Sequence, residues 1–211
     1  MILAIDGAST DLSIALAADD GAPIVDDAWT SAQRQSAELL PGVLELLRTS
    51  DRTLRDLTAV AVGTGPGSFT GLRVAMALAK GLSLALERPI VGVPSLVAWL
   101  EQEPDAIAAV ARAGAREAYV LARGAELPII VERDQLASRL AGRPIVAPRE
   151  LVDAFELTDT RPPAAAPAIA RLAARRLAVD PAGDDLQVLE PIYLRAPRGL
   201  AAAPEGEVRW L

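Results

Sequence analysis

Thr58-Ala59-Val60-Ala61-Val62-Gly63-Thr64-Gly65-Pro66-Gly67-Ser68-Phe69-Thr70-Gly71-Leu72-Arg73 holds a strand, a glycine-rich turn and the start of a helix. The run from Thr58 to Val62 is continuous and apolar, as in parallel strands buried on both faces. The helix it feeds is predicted over Phe69–Leu86. Its flanking and internal charges, Arg73, Lys80 and Glu87, trace one thin line, and everything else on it is apolar or small. A helix that is apolar nearly all round has to be covered nearly all round. A sheet covers one side only, so this helix is expected to meet a neighbouring helix and a further surface.

The turn has chemistry of its own. Where a glycine-rich loop opens a helix, free backbone N–H groups and the positive end of the helix dipole point at the same spot. Asp6, Gly65, Gly67, Ser68, Thr70 and Arg73 are therefore candidate phosphate-binding residues. A tight turn whose glycines permit close helix–sheet packing accounts for the same residues. The loop is not a Walker A box, because no Gly-Lys-Ser/Thr follows, and glycines two apart do not fit G-x-G-x-x-G. Asp6 closes the first strand beside Gly7, Ser9 and Thr10. In an actin- or sugar-kinase-like fold such a carboxylate faces a phosphate and can hold a cation; a turn-stabilising role explains it equally.

Upstream, Ile2–Asp6, residues 12–18 and Pro23–Thr30 read as three strands joined by tight turns, an antiparallel meander. A helix over residues 33–49 follows. Its apolar positions Leu39, Leu40, Val43, Leu44, Leu46 and Leu47 form a stripe wider than one packing face needs, and Pro41 predicts a kink. Downstream, Ile90–Val93 reads as a strand and Ser95–Gln102 as a helix, with Ser95 as its candidate cap. The order is βββαβαβα. Beyond Pro104 the pattern weakens. Strands are expected over residues 107–111, 118–122 and 127–131 and at Ile145-Val146. Helices are expected over 135–141, Arg149–Phe155 and 168–178, before an extended tail, Glu190-Pro191-Ile192-Tyr193-Leu194-Arg195. The predicted division is an N-terminal subdomain, residues 1–103, and a smaller α/β subdomain, residues 104–211.

Composition narrows the chemistry. The 211 residues carry 28 acidic and 21 basic side chains, a net charge of −7, with no histidine and no cysteine. Those absences remove the Ser-His-Asp triad, the HExxH metalloprotease, the thiolate nucleophile and the cysteine-bound zinc site. Carboxylate chemistry, phosphate handling by backbone amides, or no catalysis remain. An acidic balance is a poor footprint for holding nucleic acid unaided. Arg171, Arg175 and Arg176 share a helix face and read as ordinary solvated surface. Met1 leads into Ile2–Asp6 with no basic segment, so no signal peptide is expected. No 18-residue uncharged span occurs, and the expected location is cytoplasmic.

The residues also resemble a known family. Ile2-Leu3-Ala4-Ile5-Asp6 with Ser9-Thr10, Gln35-Ser36-Ala37-Glu38-Leu39-Leu40-Pro41, Gly65-Pro66-Gly67-Ser68-Phe69-Thr70-Gly71-Leu72-Arg73, Pro89-Ile90-Val91-Gly92-Val93-Pro94-Ser95-Leu96 and the tail motif from Glu190 to Arg195 are similar, in this order, to the bacterial TsaB (YeaZ) family. The resemblance is dense to about residue 100, thin from 105 to 185, and returns at the tail. It implies an actin-like (ASKHA, ribonuclease H-like) α/β fold. It also implies a non-catalytic partner of TsaD in threonylcarbamoyl transfer to the tRNA adenosine 3′ of the anticodon. On the same resemblance, a TsaE-like ATPase is expected to act on the pair, the lone protein to form a homodimer, and tRNA to be met only through the complex. No cofactor or metal of its own is implied.

In that family the first two helices form a four-helix bundle with the partner. Carried onto this sequence, the pairing residues are Leu39, Leu40, Val43, Leu44, Leu47, Phe69, Leu72, Met76, Leu78, Ala79 and Leu82. The chain departs from the pattern at Gln35, where relatives often carry histidine, and over residues 112–119; residues 125–185 are shortened. The competing reading is a small ATP-dependent phosphotransferase using Asp6 and the loop at residues 65–73. Against it, no second glycine-rich loop for adenosine is present in the C-terminal half.

Overall fold

The computed structural model describes residues 1–31, 34–140 and 142–194. Ile2–Asp6 (β1), Asp11–Ala17 (β2) and Pro23–Thr30 (β3) form the expected meander, and β1 then pairs in parallel with Ala59–Gly63 (β4), which pairs in parallel with Ile90–Val93 (β5). The first sheet is thus ordered β3-β2-β1-β4-β5. Its strands alternate sharply in where they point. Leu3, Ile5, Ile14, Leu16, Val60 and Val62 face one side, where Gln35–Thr49 (α1) and Phe69–Leu86 (α2) pack over them. Ile2, Ala4, Ala15, Ala17, Ala59 and Ala61 face the other.

That second face is mostly alanine, so whatever covers it comes close. Ser95–Gln102 (α3) and Ala166–Val179 (α6) do so, α6 through Ala168, Ile169, Ala170, Ala173 and Ala174. The second sheet, ordered β10-β9-β6-β7-β8, comprises Ala108–Arg112 (β6), Glu117–Ala122 (β7), Ile129–Glu132 (β8), Ile145–Val146 (β9) and Thr160–Arg161 (β10). Arg133–Leu140 (α4) and Arg149–Phe155 (α5) cover it over a core that includes Leu136, Leu140, Leu151 and Phe155.

Several expectations need correction. A cut at residue 103/104 separates the two sheets but not the chain, because α6 and the segment after it return from the second half onto the first sheet. The alanines of the first sheet and of α6 match in size, and that fit decides where the helix goes. Arg161, expected to open a loop with Pro162-Pro163, instead forms β10 with Thr160, paired in parallel with β9. Ser95 does not cap α3; Pro94 holds that position, and the Ser95 hydroxyl is used elsewhere. α1 starts at Gln35, later than the expected residue 33, and it runs through Pro41 to the expected end at Thr49. Arg195, the last residue of the tail motif, lies outside the described residues.

α2 is long and apolar enough, by length and composition, to cross a membrane. In this fold it lies against β4, β1 and α1, with Ser68 accepting a hydrogen bond from the Gly71 amide at its start and Glu87 closing it in the left-handed conformation. Gly7 and Gly71 let the start of α2 approach the β1–β2 turn. A Cβ on Gly7 would stand 2.6 Å from the Gly71 carbonyl oxygen, so only glycine permits that approach.

Candidate functional site

The eleven residues expected to pair with a partner divide into two groups. Leu39, Val43, Leu47, Met76, Ala79 and Leu82 are buried in the chain's own core beneath α1 and α2, and Leu72 is buried in the cluster that holds the alanine face of the sheet. Their apolar character is used up in holding the two helices onto the sheet, so they are not a free surface. Leu40, Leu44 and Phe69 remain exposed at 41%, 46% and 40%, and Leu78 is half-buried against the core. To them the structure adds Leu84, exposed at 70%, with Ala77 and Ala85 on the same outward side of α2. Gly81 lies in the open among them, with nothing near the position of an added Cβ. The helix pair thus presents an apolar outer face with small residues at its middle, and a second helical surface can approach such a face closely.

The candidate phosphate residues also divide. Asp6 is fully buried on the alanine face of the sheet. Its Oδ2 accepts from Trp99 Nε1 at 2.6 Å, and its Oδ1 accepts from the Ser95 hydroxyl at 2.9 Å and from the Ala8 amide at 3.3 Å. Burial pushes its pKa up, partly offset by these hydrogen bonds. Gly65 donates its amide to Ser95 Oγ and accepts from the Ser95 amide at its carbonyl. Asp6, Ser95, Trp99 and Gly65 therefore form one enclosed polar hub. The hub fixes the β4–α2 loop to α3.

Arg73 points elsewhere. Its guanidinium stacks on the Phe69 ring, 3.8 Å from the centroid, and its Nε donates to the Tyr193 hydroxyl at 3.0 Å. Tyr193 belongs to a strap, residues 184–194, that runs beside β5 to the start of α2. Asp184 donates its amide to the Ile90 carbonyl and accepts the Gly92 amide at its Oδ2, and Ile192 donates to the Thr64 carbonyl. Arg176 of α6 ties the strap down, bonding to both the Asp184 carboxylate and the Gly92 carbonyl. Burial alone would raise the Asp184 pKa, but the Arg176 and Gly92 donors outweigh it, and its carboxyl titrates below the ordinary range. Arg176 is thus a structural anchor and not the solvated side chain its helix spacing suggests.

Gly67, Ser68 and Thr70 behave differently again. They line a cleft of about 630 Å³ between the two sheets, together with Thr10, Gln35, Phe69, the 112–114 corner and Glu150. The two halves are joined beside it by the Arg149 amide, which donates to Asp11 Oδ2 at 2.9 Å. Trp99, Tyr193, Asp184 and Arg112 were not singled out from sequence as site residues. Only the density of the tail motif around Tyr193 gave any signal.

Residues 30–188 match the family model described as TsaD, tRNA N6-adenosine threonylcarbamoyltransferase. The chain belongs to that family. Within it, the tRNA threonylcarbamoyladenosine biosynthesis protein TsaB of Escherichia coli (strain K12) is 38% identical over 124 residues, covering 56% of this chain and 52% of that protein. TsaB of Bacillus subtilis (strain 168) is 39% identical over 95 residues, covering 45% of this chain and 41% of that protein. The matched part of this chain thus spans about half the length of these relatives. The structure of YeaZ from Pseudomonas aeruginosa superposes with a TM-score of 0.68 at 24% identity over 92% of this chain and 99% of that one. A second structure, of an uncharacterized protein with similarity to peptidase YeaZ from the same organism, gives 0.70 at 25% identity over the same shares. The fold is the α/β, actin-like fold of this TsaD and YeaZ group.

Proposed function

We propose that this chain is a non-catalytic partner of a TsaD-type threonylcarbamoyltransferase. It pairs through the outer face of α1 and α2 during synthesis of threonylcarbamoyladenosine at the tRNA adenosine 3′ of the anticodon. The observation that carries the reading is the apolar face left bare by α1 and α2, at Leu40, Leu44, Phe69 and Leu84. The relatives named for tRNA threonylcarbamoyladenosine biosynthesis supply the pathway. In this proposal the lone chain forms a homodimer through the same face. A TsaE-like ATPase acts on the heterodimer, tRNA is met only through the complex, and the setting is cytoplasmic.

The phosphotransferase reading has little to work with. It assigns Asp6 to a cation, but that carboxylate is enclosed by Trp99 and Ser95, with its donors already in place. Freeing it means burying two unpaired donors, which costs about 1–3 kcal/mol for each.

Size-exclusion chromatography with light scattering tests the proposal, on the chain alone and then mixed with the TsaD-type transferase of the same genome. A homodimer that gives way to a heterodimer is expected. Leu44→Arg and Leu84→Arg should abolish both species while leaving the fold intact, since a charge set into an apolar interface costs several kcal/mol. Leu82 is a poor position for that test, because it lies in the core and a charge there would report on folding. A monomer that ignores the transferase, or a chain that transfers the ATP γ-phosphoryl group unaided, would falsify the proposal.

A further inference from the structure

The cleft between the sheets carries chemistry that the pairing face does not use. Gln35, the first residue of α1, lines it and is only 5% exposed, yet among the described residues its carboxamide has no hydrogen-bond partner. Among the described residues the fully enclosed side-chain atom without a partner is Gln102 Oε1, so the Gln35 amide, though little exposed, still opens onto the cleft, where a ligand or water pairs it. On the opposite wall is the start of α2, an 18-residue helix. There the Gly71 amide donates to Ser68 Oγ and the Leu72 amide to the Ser68 carbonyl. The Phe69 and Thr70 amides have no acceptor among the described residues. The Ser68 amide is spent on the Ala8 carbonyl, which holds this corner rigid.

The charges at the cleft are few. Arg112 lines it, with Nε 3.6 Å from Glu150 Oε1 and Nη2 donating to the Glu150 carbonyl at 3.3 Å. Glu150 is the anionic side chain among the lining residues, and Arg112 offsets it. Thr10 and Thr70 contribute hydroxyls. The cleft therefore offers two free backbone amides at the positive end of a long helix, a buried carboxamide and a guanidinium, all able to donate.

We propose that this cleft binds a small soluble molecule through an oxyanion, a phosphate or carboxylate group. The Phe69 and Thr70 amides, the Gln35 carboxamide and Arg112 hold that group. No cation is needed, since the donors are neutral amides and one arginine, and Asp6 takes no part. The site shares Phe69 with the pairing face but uses its backbone amide and not its ring, and it does not require α1 and α2 to meet a transferase. It also differs from the set read from the sequence. Gly67, Ser68 and Thr70 remain at the cleft, whereas Asp6, Gly65 and Arg73 are replaced by Gln35 and Arg112.

The test is an NMR titration of the full chain, labelled with ¹⁵N, using sodium phosphate and sodium acetate at matched ionic strength, with sodium chloride as reference. Saturable shifts at the Phe69 and Thr70 amides and the Gln35 side-chain amide are expected. Phosphate alone acting would identify a phosphate-bearing ligand and acetate alone a carboxylate-bearing one; both acting would mean that the site reads the shared oxyanion. Gln35→Leu should weaken binding about tenfold, as expected for losing a hydrogen bond to a charged group. Should that variant fold poorly, Glu150→Gln carries the test, because removing the opposing carboxylate should tighten binding several-fold. Shifts no larger than those with chloride, or shifts unchanged in Glu150→Gln, would overturn the proposal.

Discussion

Helices α2 and α6 lie on opposite faces of the same sheet, and their coverage runs opposite to their apolar character. α2 is the most apolar helix of the chain, yet a row from Phe69 through Ala77 and Gly81 to Leu84 is left in the open. α6 carries Arg171, Arg175 and Arg176, yet Ala166, Ala168, Ile169, Ala170, Ala173 and Ala174 are all buried. The sheet face beneath α6 is built of alanines, so a small-sided helix sits deep against it, and the long arginine stems reach out from there. The sheet face beneath α2 is built of leucine, isoleucine and valine. It needs only one side of each covering helix and leaves the other side uncovered. Apolar surface beyond what the fold consumes is where a partner is to be sought.

The largest effect should come from charging the buried helix. Ala170→Arg places an unpaired charge between α6 and the first sheet, at a residue with no exposed surface. A loss of about 3–5 kcal/mol, enough to unfold a typical domain, is expected in urea denaturation. A variant as stable as the parent would break the account of α6 as the deeply packed helix.

Next is the hub that fixes α2 to α3. Asp6→Ala leaves the Trp99 indole N–H and the Ser95 hydroxyl without their acceptor and should cost about 2–4 kcal/mol, with pairing retained in whatever remains folded. The pH dependence has a definite sign. Burial raises the Asp6 pKa in the folded state, so its favourable contribution is complete below the ordinary carboxylate range and declines as pH rises through the folded value. Asp6→Asn should remove that decline. Unfolding free energies of both proteins from pH 3 to 7 check it, and parallel curves would refute the assignment.

A smaller effect is expected at the strap. The Asp184 carboxyl titrates below the ordinary range, so its contribution is present above that range and lost as pH falls through the folded value. Asp184→Asn should speed hydrogen exchange at the Gly92 and Ile192 amides at neutral pH and leave global stability nearly unchanged. Acid should do the same to the parent. Exchange rates equal in the two proteins would mean that the strap is held by its apolar residues alone.

The smallest effect on stability should accompany the largest effect on association. Leu84→Arg touches a side chain that is mostly in the open, so its unfolding free energy should stay within about 0.5 kcal/mol of the parent. Its pairing should be lost. A stability loss comparable with that of Ala170→Arg would erase the distinction between the two helices.

Much of this was legible in the residues. The strands of the first sheet, both long helices flanking β4 and the order of elements follow from hydrophobic period and turn residues, signals that act over a few positions. The site was legible only in outline. Leu40, Leu44 and Phe69 were found with seven core residues of the same type, because a stripe too wide for one face does not say which part faces inward. Asp6 was found, but the donors that enclose it, Trp99 and Ser95, lie some ninety residues away, beyond any local pattern. Gln35 stood out as a departure from its relatives, and only its burial beside α2 gives it a chemical setting.

By itself, the sequence determined the alternation of strands and helices, the excess of apolar surface on α1 and α2, and a side-chain repertoire with no imidazole and no thiol. These depend on composition and on spacings of two and 3.6 residues, which neighbours along the chain impose on one another. Only the tertiary structure decided which leucines stay in the open, that Asp6 is enclosed, that α6 crosses back to the first sheet, and that Gln35 and the start of α2 face one cleft. Each of these depends on residues far apart in the chain coming to lie side by side. Close packing makes that choice through the fit of side-chain volumes, which no local period records.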